Sequence, residues 1–339
     1  MKIFYPKTHL NDTNKRHLFP LLNALEKKSS NELSSQYELI DNMHEAKIVF
    51  LPLPWNYYVK NGQEKKCLDL INEANKLRKR VYIHNAGDYG VKVPKDLDII
   101  IFRACGYKSK STSQEQIMPF FLTDPLPRFF NSEQLFKRVY NEKPTIGFCG
   151  QVNESKFNAI KEIGKVIAKN LLYYVGLKKE LPQDIQSTSY NRSKILNLVE
   201  RSNSLQSNFI RRKKYRAGAT TKDERSKTTL EYYENIIASD YILCYKGAGN
   251  FSVRLYETLA MGRIPIFINT DCMLPLEDKI KWKDHVVWVE YNELHKLEEL
   301  VFQHYSKFNE TTLNEFFYQN RKMWLDNMGM VEFFKKALF

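Results

Sequence analysis

The stretch from Tyr241 to Ile268 constrains the fold of this 339-residue chain more than any other. An apolar run of strand length, Tyr241 to Tyr245, leads into the glycine-bearing turn Lys246-Gly247-Ala248-Gly249-Asn250. The spacing then predicts about three turns of helix from Ser252 to Met261, stopped by Gly262, and a second strand from Ile264 to Ile268. This is a βαβ unit, and strands alternating with helices read as parallel α/β structure. The helix N-terminus opens at the end of a strand, where free backbone N–H groups and the helix dipole favour an anion.

Arg254 and Glu257, spaced i, i+3, share one face of that helix near its start, while Leu255 and Leu259 lie on another and can pack on a sheet. An isolated R-x-x-E is usually an exposed surface pair worth about 0.3–0.5 kcal/mol. Here the pair stands inside a longer pattern: Ser252, Arg254, Glu257, Gly262, Pro265, Leu274, Pro275, Trp282 and Glu290 follow one another over about fifty residues. That succession resembles the C-terminal half of the exostosin family of glycosyltransferases. It departs at Lys281, where the family commonly has an acidic residue before the tryptophan.

The resemblance implies two Rossmann-like domains facing a cleft, the GT-B type. The C-terminal domain would hold a nucleoside-diphosphate sugar, and the N-terminal domain would bring a glycan or lipid-linked acceptor and the base. It also implies that Arg254 and the helix amides neutralise the diphosphate, and that Glu257 accepts from the ribose diol. Gly249, Asn250 and Ser252 belong to the same donor turn. Displacement would be direct and inverting, with no metal and no cofactor beyond the donor itself. Transfer of another nucleotide-activated group such as a polyol phosphate, and a non-catalytic anionic-polymer binding protein, are the rival readings.

The rest of the chain fits two α/β halves. Candidate strands are Lys2–Tyr5, Lys47–Leu51, Arg80–His84 and Ile99–Arg103, with helices over 17–28 and 67–78. A second set restarts after the linker Asn141–Pro144: strand Thr145–Cys149, helix 155–170, strand Leu171–Val175, and a long helix over 222–239. We therefore expect an N-terminal acceptor domain at 1–141, a nucleotide-sugar domain at 142–325, and a last helix at 326–339 that crosses back. Residues 178–206, polar and rich in Ser and Asn, read as an inserted loop near the acceptor.

Further candidates lie at predicted strand ends. Asp88 or His84 is placed to serve as the base in His84-Asn85-Ala86-Gly87-Asp88-Tyr89-Gly90; alternatively Asp88 caps its own turn. Gly150 permits close backbone approach to a ligand or simply ends its strand. Asp271 binds sugar hydroxyls or caps the next turn. In the basic run 211–216, Arg212 faces the diphosphate if the run is not solvated surface. Asp96-Leu97-Asp98 precedes rather than follows an apolar strand, so it reads as a turn and not as a metal-binding D-x-D.

Composition narrows the class. Hydrophobic content of 43% excludes wholesale disorder, and a net charge of +13 suggests an anionic partner. The donor, a lipid-linked acceptor and an anionic membrane touched peripherally all qualify, while no nucleic-acid recognition motif is present. Five widely spaced cysteines read as buried thiols rather than a disulfide framework. MKIFYPKTHL lacks the apolar core of a signal peptide, so the expectation is a cytoplasmic protein, peripheral to the membrane at most, and a bacterial or viral relative of the anchored eukaryotic exostosins.

Overall fold

The computed structural model describes residues 1–338. In the N-terminal half, short apolar runs between turn residues become β1 (Lys2–Phe4), β2 (Glu38–Ile40), β3 (Ile48–Phe50), β4 (Arg80–Asn85), β5 (Ile100–Arg103) and β6 (Glu115–Ile117). They form one sheet in the order β2-β1-β3-β4-β5-β6. Every pairing in it is parallel. Helices α1 (Pro20–Glu26), α2 (Asn31–Gln36), α3 (Trp55–Lys60) and α4 (Glu64–Lys76) provide its crossovers. A parallel sheet is buried on both faces, so alternate residues feed two cores. Val49, Val81 and Ile101 pack towards Trp55, Cys67 and Ile71. Phe50, Tyr82 and Phe102 stack on the opposite face at centroid distances of 5.1 and 5.6 Å.

The second half repeats the scheme with β7 (Thr145–Gln151), β8 (Gln206–Arg212), β9 (Tyr241–Cys244), β10 (Ile264–Asn269) and β11 (Val287–Glu290). Their order is β11-β10-β9-β7-β8, again all parallel. The helices are α5 (Pro125–Phe130), α6 (Lys156–Tyr174), α7 (Thr188–Glu200), α8 (Lys222–Ile237), α9 (Val253–Ala260), α10 (Leu297–Tyr305), α11 (Glu310–Asn327) and α12 (Met330–Ala337). From β7 the chain moves outward to β8 and then returns to the other side of β7 as β9. That reversal of direction opens a crevice at the carboxyl ends of β7 and β9, where α/β sheets bind ligands. The two sheets give two Rossmann-like α/β halves, as expected.

Several expectations need correction. Residues 171–174 are not a strand but the last turn of α6, because a four-residue apolar run is ambiguous in period and here continues the helix. The polar segment 178–206 is not simply a loop: it contains α7, which buries Ile195, Leu196 and Val199. The boundary at 141/142 falls too late, since Leu126 and Leu135 already belong to the C-terminal core. Phe333 and Phe334 of α12 pack edge-on against Phe102 of the N-terminal sheet at 6.1 and 5.8 Å.

Besides α12, loops join the halves at the cleft. Tyr107 bridges Cys272, and the Lys108 N–H donates to the Asp271 carbonyl at 2.9 Å. Val91 bridges Glu180, tying the loop after β4 to the segment after α6.

Candidate active site

Strand β7 ends in Cys149-Gly150-Gln151, and two arginines grip those terminal carbonyls. Arg254 Nη2 donates to the Cys149 carbonyl at 2.9 Å. Arg192, from α7, donates to the Gln151 carbonyl at 2.6 Å and to the Lys246 carbonyl at 3.1 Å. Both guanidiniums lie near the Phe148 ring, at 4.4 Å for Arg254 and 5.9 Å for Arg192. Among the described residues, neither has a carboxylate within ion-pair distance, and the Nε of each is buried with no partner. Burial, then the repulsion of Arg254, pushes the Arg192 guanidinium down to about 10. Two cations held together with unused donors at a sheet's carboxyl edge make a place for an anion.

Gly150 has a defined part in this. A Cβ there would meet Arg254 Nη2 at 2.8 Å, so the missing side chain lets the guanidinium lie against the strand end. Beside it, α9 begins at Ser252, whose hydroxyl makes no capping hydrogen bond. The helix's N-terminal turn thus adds its dipole at the same crevice.

Glu257 lies one turn further along α9. Its carboxylate accepts from the hydroxyls of Tyr232 at 2.5 Å and Tyr233 at 3.4 Å. Burial raises this carboxyl, against the pull of those hydroxyls and of Arg254. A carboxylate offers about four lone-pair sites, so Glu257 keeps capacity for a diol.

Three expected donor residues serve other ends. Asn250 is buried, and its Nδ2 donates to the carbonyls of Gly106, Thr270 and Asp271 at 3.0–3.1 Å. Its Oδ1 accepts from Thr270 Oγ1 at 2.6 Å, which leaves the side chain fixed as a clamp on the glycine turn. The Asp271 carboxylate accepts from the Ser109 N–H at 3.1 Å and from its hydroxyl at 2.5 Å, so it latches the two halves instead of facing the cleft. Arg212 is ion-paired to Glu231 and also donates to the Thr228 carbonyl, which ties it to α8.

On the N-terminal side, the turn after β4 is held by neighbours of Asp88. Asn85 accepts from the Val91 N–H at 3.0 Å and donates to the Val91 carbonyl at 2.8 Å. Asn56 brackets Ala86 in the same way. With the turn so secured, Asp88 is an exposed carboxylate that lines a cavity of about 420 Å³ with Tyr89, Tyr107, Leu181 and Pro182. Its carboxyl is raised by partial burial. The turn reaches the donor side: a Cβ on Gly249 would meet the Asp88 carbonyl at 2.9 Å, so only glycine lets the two loops approach this closely. His84 points elsewhere. It packs edge-on against Phe19 at 5.7 Å, and burial pushes it down to about 4.

Two functional candidates escaped sequence reasoning. Arg192 is one. The other is a link across the cleft in which Asp184 accepts from Lys246 Nζ at 2.6 Å and from the Tyr107 hydroxyl at 2.8 Å. Burial alone would raise the Asp184 carboxyl, but those two hydrogen bonds, with the charges of Lys246 and Lys110, outweigh it and hold it low. No motif announced either residue; only the i, i+4 pair Ser189 and Ser193 hinted that Arg192 stands on a helix with a buried face. Among the described residues, no group of three His, Cys, Asp or Glu is placed to hold a metal ion.

Residues 148–303, a little under half of the chain, match the Exostosin GT47 domain. The C-terminal half is thus similar in sequence to the exostosin glycosyltransferases, as its motif implied. Over 70 residues, 21% of this chain, it is 36% identical to a "Probable glucuronosyltransferase" of Oryza sativa subsp. japonica, of which it covers 17%. It is 34% identical over the same length to a "Probable beta-1,4-xylosyltransferase" of Arabidopsis thaliana, again covering 17% of it. The match thus spans about a sixth of the length of those relatives. A crystal structure of S. aureus TarM with fondaparinux, alpha-GlcNAc-glycerol and UDP superposes with a TM-score of 0.35 and 8% identity, covering 77% of this chain and 50% of that one.

Proposed function

We propose that this protein is a glycosyltransferase that moves a sugar from a nucleoside-diphosphate donor to a glycan or lipid-linked acceptor, with inversion. The observation that carries the reading is the pair Arg192 and Arg254, two unpaired guanidiniums at the crevice of the C-terminal sheet, with Asp88 free on the opposite loop. In this scheme the two arginines and the first turn of α9 take the diphosphate. As the anomeric C–O bond breaks, negative charge grows on the departing diphosphate, and fixed cations in a half-buried site stabilise it without reorganising. Glu257 holds the ribose diol. Asp88 takes the proton of the acceptor hydroxyl as that oxygen attacks the anomeric carbon. The Lys246–Asp184–Tyr107 link joins donor and acceptor sides and keeps the cleft closed around the reacting groups. The base and sugar are set by pocket contacts, and glucuronic acid and xylose, named for the plant relatives, are the first sugars to try.

The test is a calorimetric panel of uridine, guanosine, cytidine and adenosine diphosphates, followed by mass spectrometry of products formed from the matching sugar nucleotides. One diphosphate binding and one sugar transferred is the expected outcome. Affinity for anionic polymer with none for any nucleotide would turn the reading towards a non-catalytic binding protein. Transfer of a phosphorylated group would turn it towards the polyol-phosphate chemistry.

A further inference from the structure

Helix α6 is nineteen residues long, about 28 Å, yet Ala159 is its one fully buried residue. Eight of the eighteen large apolar side chains exposed among the described residues lie between Phe157 and Leu177. They are not scattered. Phe157, Ile160, Ile167, Leu171 and Tyr174 recur at helical spacing along the outer side, and four of them are 59–73% exposed. Leu177, 75% exposed, extends the stripe past the helix end. Single exposed apolar residues need no explanation, but a contiguous stripe marks a contact surface.

Charge decides what the surface meets. Lys161, Lys165 and Lys169 form an exposed i, i+4, i+8 row that borders the stripe at Lys161, 4.3 Å from the Phe157 ring, and winds from there onto the polar side of the helix. The helix has one acidic residue, Glu162, and it is turned inward to accept from Ser187 and Ser189. A second copy of the chain docking here would find no carboxylate on this helix to answer the lysine row. An apolar face with a lysine row on the polar side instead has the build of a helix that lies in a membrane interface, with apolar side chains among the acyl chains and ammonium groups reaching anionic headgroups. Among the described residues, no helix is long and apolar enough to cross a membrane.

We infer that α6 docks this protein on an anionic lipid bilayer. The end of the helix adjoins the candidate acceptor side: Tyr174 and Leu181 line the cavity that Asp88 faces, and Tyr173, Lys178 and Lys179 line a neighbouring one of about 710 Å³. Seating α6 on a bilayer therefore brings both cavities to the lipid surface. The docking stands independently of the catalytic reading.

The experiment is co-sedimentation of the full chain with vesicles of phosphatidylcholine alone, or of phosphatidylcholine with phosphatidylglycerol, at physiological salt. Two triple variants accompany it, Ile160→Ser/Ile167→Ser/Leu171→Ser and Lys161→Glu/Lys165→Glu/Lys169→Glu, with melting temperatures to show that both fold. The wild type is expected to pellet with the anionic vesicles and not the neutral ones, and each variant to bind at least about tenfold more weakly. Three results would overturn the inference: no binding by the wild type, binding unchanged in the variants, or sedimentation equilibrium showing a dimer that the serine variant dissociates. The last would make the stripe an interface between copies.

Discussion

On the C-terminal side of the cleft, charged and polar groups are held from several directions, whereas on the N-terminal side the Asp88 carboxylate has no hydrogen-bond partner among the described residues. Arg254 is fixed by the Cys149 carbonyl and the Phe148 ring, and Glu257 by two tyrosine hydroxyls. Asn250 is fully committed to the glycine turn. The turn around Asp88 is equally well secured, but by Asn85 and Asn56, and the carboxylate itself stays free. The difference separates two tasks. A rigid array of cations suits a charge that develops in one place, and a free carboxylate beside a cavity suits an incoming hydroxyl.

The largest effect should come from the free side. Asp88→Asn is expected to lower turnover by about 10²–10⁴ while donor affinity and melting temperature stay near wild type. Since burial raises the Asp88 carboxyl, the wild-type rate should climb with pH through a value above the ordinary aspartate one, and that limb should vanish in the variant. Near-native turnover in a folded Asp88→Asn enzyme would remove the base from this loop. His84 would not replace it readily, being packed on Phe19 and a weak base at about 4.

Next in size is the clamp. Asn250→Ala leaves the Thr270 carbonyl without its donor and takes one of two donors from those of Gly106 and Asp271, which should cost about 1–3 kcal/mol of stability. Donor affinity measured well below the melting temperature should move much less. A large affinity loss with an unchanged melting temperature would instead return Asn250 to the ligand.

A smaller effect is expected at Glu257. Glu257→Gln should weaken nucleoside-diphosphate binding about tenfold, the worth of one or two hydrogen bonds to a charged group. Tyr232→Phe, which removes a neighbour of that carboxylate, should weaken it less. Unchanged affinity in Glu257→Gln, read by calorimetry, would show that the carboxylate serves only the α8–α9 contact.

The smallest concerns pH and stability. His84 and His304 are both pushed down to about 4 by burial, so the unfolded chain takes up protons that the folded chain refuses. Stability is complete above the ordinary histidine value near 6.5 and is lost as pH falls from there towards 4. His84→Phe should flatten part of that slope in melting curves. A slope unchanged by the substitution would assign the effect elsewhere.

How much of this was legible in the chain follows from where each signal resides. The βαβ unit around α9 could be read because its strands, glycine turn and helix stop are local, and a dense motif runs through it. The edge strand β8 was hidden because it ends in Arg211 and Arg212, which read as part of a solvated basic run, whereas in the fold both are ion-paired at the sheet's margin. Arg192 was invisible because α7 alternates polar residues with few apolar ones and buries two serines on its inner face. Asn250 and Asp271 look like ligands in sequence. Their true partners, Gly106 and Ser109, lie more than a hundred residues away, across the seam between the halves.

The central claim is that Arg192 and Arg254 together receive a diphosphate. Its most direct test is a double-mutant cycle, Arg192→Ala, Arg254→Ala and both, titrated by calorimetry with the preferred nucleoside diphosphate and with the matching nucleoside. Each single variant should weaken diphosphate binding by about 10- to 100-fold, as expected for charge-assisted contacts, and leave the nucleoside unaffected. The double variant should lose less than the product of the two, because the guanidiniums serve one ligand charge. Diphosphate affinity that survives both substitutions, or falls in step with that of the uncharged nucleoside, would contradict the account.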